Sequence, residues 1–290
     1  MDRFIIITND RKDTDCLISR KIFDKITGTG RSVNWLRFDD GWKLVNIDGG
    51  PAVIEADAEC ALVIGGDGTM LRAERELVDH AIPMVGINMG TLGYLADVNS
   101  NDWEKAVEEL MYTAPRLEER MLVSGTIYRG GEAIFSQIAL DDIVVGCVGY
   151  LHMIGIKVSV DGQELKSYHA DGIIVSTPTG STAYNLSAGG PIVLPEASMM
   201  VLTPLSPHVL INRSVVVPDT AAVSLELTSK KPVGTEGIAA VYFDGLEFPM
   251  QVGDRVEVVR AKQTCRLYRM NDYSFLENLS MKMSEGESKA

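Results

Sequence analysis

The stretch that most narrows what this chain can fold into is Cys60-Ala-Leu-Val-Ile-Gly-Gly-Asp-Gly-Thr-Met-Leu-Arg72, where an apolar run stops at three glycines bracketing one carboxylate, Asp67. Ala61 to Ile64 is too short for a helix and carries β-branched side chains, so it reads as a buried strand. Gly65, Gly66 and Gly68 are expected to take backbone angles closed to other residues and to bring main-chain N–H groups close to a bound anion. Thr69 is expected to cap the helix that follows. A strand, a glycine turn and a helix start together make a phosphate cradle. No Gly-Lys-Ser/Thr follows, so this is not a P-loop, and the spacing is not Gly-x-Gly-x-x-Gly. Glycines alone serve a plain strand-to-helix turn equally well. An acid held among them at the positive end of a helix is poorly used if it only makes a turn.

The surrounding sequence repeats that alternation. Phe4 to Thr8 and Val33 to Phe38 read as strands, and Thr14 to Ile26 as a helix, with Ile18, Ile22 and Ile26 recurring every four residues. Asp39 to Pro51, with its Asp-Asp-Gly and Asp-Gly-Gly-Pro, reads as a loop. Met84 to Ile87 is a further strand, and it leads into a second glycine-punctuated loop from Asn88 to Leu95. The pattern is that of an open, Rossmann-like parallel sheet, in which ligands sit at the carboxyl ends of the strands. Asn101 and Glu104 predict a capping box for a helix that Pro115 ends.

From Leu117 the period changes to two. Ile156 to Val160, Ala222 to Leu227 and Arg255 to Val259 alternate, with turn signals at Gly130-Gly131, Asp161-Gly162, Asp244-Gly245 and Gly253-Asp254. The fold class expected is therefore an α/β N-terminal domain with an open parallel sheet over residues 1–115, followed by an all-β, sandwich-like domain over 116–265. A last strand and a helix, within 266–283, are expected to pack back on the first domain. Ser284 to Ala290 reads as a disordered tail.

Charge and cysteine usage limit the partners. A net charge of −13 over 290 residues repels nucleic acid and anionic membranes, so a polyanionic ligand needs a local pocket and a divalent cation. Four scattered cysteines without Cys-x-x-Cys suggest neither a zinc site nor a disulfide framework. No apolar run approaches a membrane span, and Met1 to Asp10 is strand-like rather than a signal peptide, which points to the cytoplasm.

Asp171 to Pro191 interrupts the β half with six Ser and Thr hydroxyls and four glycines. Loops and caps use such residues too. A strand, Ile173 to Ser176, runs straight into this segment, and Tyr184 offers a flat face for a purine, ringed by hydroxyl donors and acceptors.

Taken together, Gly65-Gly66-Asp67-Gly68-Thr69, Asn88-Met89-Gly90-Thr91-Leu92-Gly93-Tyr94-Leu95, Ser176-Thr177-Pro178-Thr179-Gly180-Ser181-Thr182-Ala183-Tyr184 and Leu202-Thr203-Pro204-Leu205-Ser206-Pro207-His208 resemble the NAD kinases. The resemblance implies phosphoryl transfer from ATP, or in some members polyphosphate, to the 2′-hydroxyl of the adenosine ribose of NAD. It also implies a divalent cation, usually magnesium, and a homo-oligomer, dimer or tetramer. Asp67 then matches the general base, and Gly65, Gly66, Gly68 and Thr69 match the phosphate-holding residues. Asn88, Asp141, Asp142, Asp171, Thr182, Ala183, Tyr184, Asn185, Leu186 and Ser187 fall on positions that hold the dinucleotide, together with Asp67 and Gly68. His152 and His169 match positions that contact NAD in some bacterial members, and each equally suits a strand histidine. Arg72 is placed to reach the pyrophosphate, or to be a solvated helix arginine. No metal ligand is assigned.

The chain departs from the family twice. Asp141 stands where Asn is usual, exchanging a donor-acceptor for an acceptor, and Leu246 stands where many members have Gln. Two other readings keep part of the pattern: a diacylglycerol or sphingoid kinase sharing Gly-Gly-Asp-Gly-Thr, and a non-catalytic NADP sensor.

Overall fold

The computed structural model describes residues 1–90, 93–113, 115–149, 153–209, 212–228, 239–271 and 273–287. It divides into two units, Met1–Glu119 with Cys265–Ala290, and Arg120–Thr264.

The first unit is α/β. Its elements are β1 (Arg3–Asn9), α1 (Leu17–Thr27), β2 (Ser32–Phe38), β3 (Leu44–Asn46), β4 (Cys60–Gly65), α2 (Asp67–Leu77), β5 (Met84–Asn88), β6 (Val98–Asn99) and α3 (Trp103–Tyr112). The sheet runs β3-β2-β1-β4-β5, with β2–β1, β1–β4 and β4–β5 parallel and β3 antiparallel at the edge. Every residue of β4 and β5 is buried, as parallel strands covered on both faces require. Phe4, Ile6, Leu62, Ile64, Val85 and Ile87 share one face and pack against Ile22 and Ile26 of α1 and Trp103 and Val107 of α3. Gly86, between Val85 and Ile87, faces the other side, where Met70 of α2 lies. Because β2 lies on one side of β1 and β4 on the other, the strand order reverses there, and the crevice beyond their carboxyl ends is where such sheets bind ligands.

Two local expectations fail in this unit. Leu44 and Val45 lie buried in β3, inside the stretch expected to be loop, because pairing with Leu36 to Phe38 gives that short apolar run an edge to join. The capping box at α3 does not form: Asp102 is the N-cap residue and no side chain caps it. At α1 the cap comes from upstream, where the Asp13 carboxylate accepts from the N–H groups of Ile18 and Ser19 and from Ser19 Oγ.

The second unit is two antiparallel sheets. Strands β7 (Arg116–Arg129), β8 (Glu132–Ala139), β9 (Asp142–Cys147), β10 (Ile154–Val160), β11 (Gln163–Ala170) and β12 (Gly172–Ser176) precede a short helix, α4 (Tyr184–Ser187). Then follow β13 (Met199–Leu205), β14 (Val215–Pro218), β15 (Val223–Thr228), β16 (Ala239–Phe243), β17 (Leu246–Met250) and β18 (Arg255–Arg269). One sheet is β14-β13-β12-β9-β16-β17; facing it are β11-β10-β15-β18 and the β7–β8 hairpin. Inward residues of both, among them Val145, Val175, Leu202, Val241, Ile156, Leu225 and Val258, form one apolar core, the signature of a sandwich. At Gly130-Gly131, Asp161-Gly162 and Asp244-Gly245 both turn residues have positive φ, the geometry that tight hairpins favour.

Helix α5 (Phe275–Glu287) belongs to the first unit. It continues through Ser284 to Glu287, where a tail was expected to begin; residues 288–290 lie outside the described residues.

Candidate active site

Asp67 opens α2, with Gly66 as the N-cap residue in extended geometry. None of Gly65, Gly66 and Gly68 has positive φ, so the expectation of special backbone angles fails. Room is what glycine supplies. A Cβ on Gly65 would lie 2.3 Å from Thr69 Oγ1, whereas Gly68 has open space around it. Thr69 is not the cap: its side chain is buried against Gly65 and accepts from Asn9 Nδ2 at 2.9 Å, tying α2 to the end of β1.

The carboxylate of Asp67 is held by three consecutive backbone donors. Tyr94 N–H donates to Oδ2 at 2.8 Å, and the N–H groups of Leu95 and Ala96 donate to Oδ1 at 3.1 and 3.0 Å. A carboxylate offers about four lone-pair sites, so three are used and Oδ2 keeps one among the described residues. Two glycines allow the loop this close. A Cβ on Gly93 would sit 1.9 Å from Asp67 Oδ1, and one on Gly86 would sit 2.5 Å from Ala96 Cα. The sequence marks both glycines but not their purpose, since the loop returns to Asp67 only in three dimensions.

Asp67 lines a cavity of about 310 Å³ with Gly65, Gly66, Asn88, Gly90, Gly93, Lys12 and Lys282. These come from the carboxyl ends of β1, β4 and β5 and from α5. Asn88 is buried and its Oδ1 accepts from Gly90 N–H at 2.9 Å. Arg72 does not line this cavity: its guanidinium lies 4.0 Å from the centroid of Trp42, whose ring also carries Arg11 at 4.7 Å. Burial, then Arg75 and Arg11, depress the Arg72 pKa.

In the second unit a cavity of about 460 Å³ is lined by Asp142, Asp171, Tyr184, Cys147, Tyr242, Leu205 and neighbouring backbone. Tyr184 is half-exposed there, as a stacking ring must be. Burial and the nearby Asp244 carboxylate push the Asp142 pKa up to about 7. Asp244 repeats the Asp67 arrangement, accepting from the N–H groups of Leu140, Asp141 and Asp142 at 2.7, 2.9 and 3.1 Å. This fixes Asp141 and Asp142 through their backbone, a role nothing in the sequence announced.

The hydroxyl-rich segment is used differently from expectation. Ser176, Thr177 and Ser181 are fully buried and donate to the carbonyls of Thr177, Leu140 and Pro178, so they brace the turn rather than ring a ligand. Asn185 is also fully buried: its Nδ2 donates to the carbonyls of Ser181 and Pro191, and its Oδ1 accepts from Thr203 Oγ1. Thr182 Oγ1 donates to Thr179 O, Ala183 is half-buried, and Leu186 and Ser187 are exposed on α4. His169 is exposed on β11, its carbonyl accepting from His208 N–H, and it does not line the second-unit cavity. His152, Thr91 and Leu92 lie outside the described residues. Among the described residues no three His, Cys, Asp or Glu side chains are grouped to hold a metal ion, and none of the four cysteines is in a disulfide. No described helix is long and apolar enough to cross a membrane.

Comparison with known proteins gives this geometry a family. The ATP-NAD kinase N-terminal domain matches residues 31–114, and the ATP-NAD kinase C-terminal domain matches residues 140–270. The NAD kinase of Lachnospira eligens is 36% identical over 98% of this chain and 100% of its own length. That of Thiobacillus denitrificans is 40% identical over 81% of this chain and 79% of its own. Among solved structures, yeast NADH kinase complexed with NADH superposes with a TM-score of 0.82 at 20% identity, covering 97% of this chain and 87% of that one. An NAD kinase from Archaeoglobus fulgidus in complex with ATP gives 0.72 at 23% identity, covering 92% of this chain and 93% of that one. A glycine-bracketed aspartate at the end of a central strand, two domain matches in the right order and relatives alike along their whole length lead to one conclusion: this chain belongs to the NAD kinase family.

Proposed function

We propose that this chain phosphorylates the 2′-hydroxyl of the adenosine ribose of NAD, giving NADP, with Asp67 as the general base. The observation that carries the assignment is the three-donor clamp on Asp67, which fixes the carboxylate and leaves one Oδ2 lone pair for a hydroxyl proton. In the step, the ribose O–H bond breaks toward Asp67, the ribose oxygen bonds to the terminal phosphorus, and the bond from phosphorus to the bridging oxygen breaks to release the shortened donor. Such transfer asks a protein mainly for alignment and charge neutralisation.

Gly65, Gly66 and Gly68 are assigned to the donor phosphates, since Gly65 and Gly66 line the Asp67 cavity and Gly68 has open space around it at the start of α2. Asp142, Asp171 and Tyr184 are assigned to the adenosine half of NAD, because they line the second-unit cavity. Thr182, Ala183, Leu186 and Ser187 flank Tyr184 and are assigned to the same ligand, as are Asn88 and Asp141. Asn185 supports them from within. A divalent cation, magnesium by the family resemblance, would neutralise phosphate charge when bound and would be held by the donor's own oxygens, since the N–H donors and the ribose hydroxyl take up the Asp67 carboxylate. The family resemblance also supports a homo-oligomer, tested by light scattering, and a cytoplasmic location, tested by fractionation.

The test is a coupled assay for NADP with ATP or polyphosphate against NAD or NADH in all combinations. Turnover with NAD that disappears in Asp67→Asn supports the assignment. ATP consumption with a lipid acceptor, or NADP binding without conversion of NAD, refutes it.

A further inference from the structure

We propose that Lys12 and Lys282 hold the phosphate chain of the donor, which makes the C-terminal helix α5 part of the phosphoryl-transfer site; this rests on the kinase reading above. Three charged side chains line the Asp67 cavity among the described residues: Asp67, Lys12 and Lys282. A phosphate chain carries several negative charges and must come close to an ionised Asp67 in a chain of net charge −13. Cations at the phosphate oxygens are needed both to admit it and to stabilise the charge of the transition state. The two lysines stand where the charge is needed.

The helix is built to deliver its lysine. Phe275, Asn278 and Lys282 follow at helical spacing on one face of α5. The Phe275 ring lies 6.0 Å from the Tyr94 ring, buried Asn278 donates from Nδ2 to Gly93 O at 3.1 Å, and the Lys282 ammonium lies 4.6 Å from the Tyr94 centroid. Gly93 and Tyr94 belong to the loop that clamps Asp67. One helix face thus supports the base and presents a cation beside it. Asn278 acts as a positioning residue, and Lys282 as a donor-binding one. Lys12 comes from the turn after β1, its N–H donating to Asn9 O at 2.8 Å, and so meets the cavity from a different element.

The experiment titrates full-length protein with tripolyphosphate and with ATP by calorimetry, alongside steady-state kinetics. Lys282→Met keeps an unbranched apolar side chain and removes the ammonium; Lys282→Arg keeps the charge; Lys12→Met tests the second cation. Losing one charge-assisted contact is expected to weaken tripolyphosphate and ATP binding about tenfold or more. The donor KM rises with it, the NAD KM stays within about twofold, and Lys282→Arg restores most of the affinity. If tripolyphosphate binds both Met variants as tightly as parent, the proposal is overturned, whether or not the parent makes NADP. Equal loss of NAD and donor affinity also overturns it, because that marks a collapsed loop. Lysine-dependent tripolyphosphate binding in a parent that does not phosphorylate NAD supports this site and sinks the kinase reading alone.

Discussion

Replacing Gly93 by alanine tests the clamp without replacing any reacting group. The added Cβ would lie 1.9 Å from Asp67 Oδ1, 2.6 Å from Cγ and 2.8 Å from Oδ2, so the carboxylate or the loop must move. Gly93 does not have positive φ, and the backbone itself therefore accepts alanine; the collision is the whole perturbation. If the carboxylate turns away it forfeits three N–H bonds to a charged acceptor, each worth about 1.5–3 kcal/mol net of exchange with water. A displaced base loses the about 10²- to 10⁴-fold that positioned proton transfer contributes. Gly93→Ala is thus expected to lower kcat by two orders of magnitude or more while the NAD KM changes little, since Asp142, Asp171 and Tyr184, the residues proposed to hold the adenosine, are in the other unit. The coupled NADP assay reads kcat and KM, and urea denaturation reads the loss of clamp energy. A variant with parent-like kcat and stability would show that the clamp does not set the position of Asp67.

Further consequences follow from the second unit. Folding raises the Asp142 pKa to about 7 from an ordinary value near 4, so between those values the folded chain holds a proton that the unfolded chain has released. Stability should be fully present at the acid end, fall as pH rises toward 7 and level off above it; equal pH slopes in parent and Asp142→Asn would contradict this. Asn185→Ala removes two donors and one acceptor from the carbonyls of Ser181 and Pro191 and the hydroxyl of Thr203 and should cost roughly 2–4 kcal/mol in urea denaturation. An unchanged midpoint would show that those bonds do not brace the segment. Asp141→Asn should retain or tighten NAD binding by calorimetry, because Asp244 holds residue 141 through its backbone N–H. A clear loss of turnover in that variant would give the Asp141 carboxylate a positive role.

The local sequence determined the elements whose signals are short-range. The apolar run before Asp67, the fourfold isoleucine spacing of α1 and the Asp-Gly turns with positive φ each fix their own geometry through sterics and burial, and all are legible in a dozen residues or fewer. The motifs around Asp67, Asn88 and Tyr184 fall on residues that line the two cavities. What the sequence misjudged was the destination of hydrogen bonds. Ser176, Thr177 and Ser181 look like a polar pocket in one dimension but spend their hydroxyls on carbonyls, and Thr69 packs on Gly65 instead of capping a helix. Only tertiary structure could bring Gly93 to Asp67, Asp244 to Leu140 through Asp142, and Asn278 to Gly93. These partners are separated by 26, about 100 and 185 residues, and a backbone donor has no side-chain signature, so the clamps that hold both acidic loops leave no trace in composition or spacing.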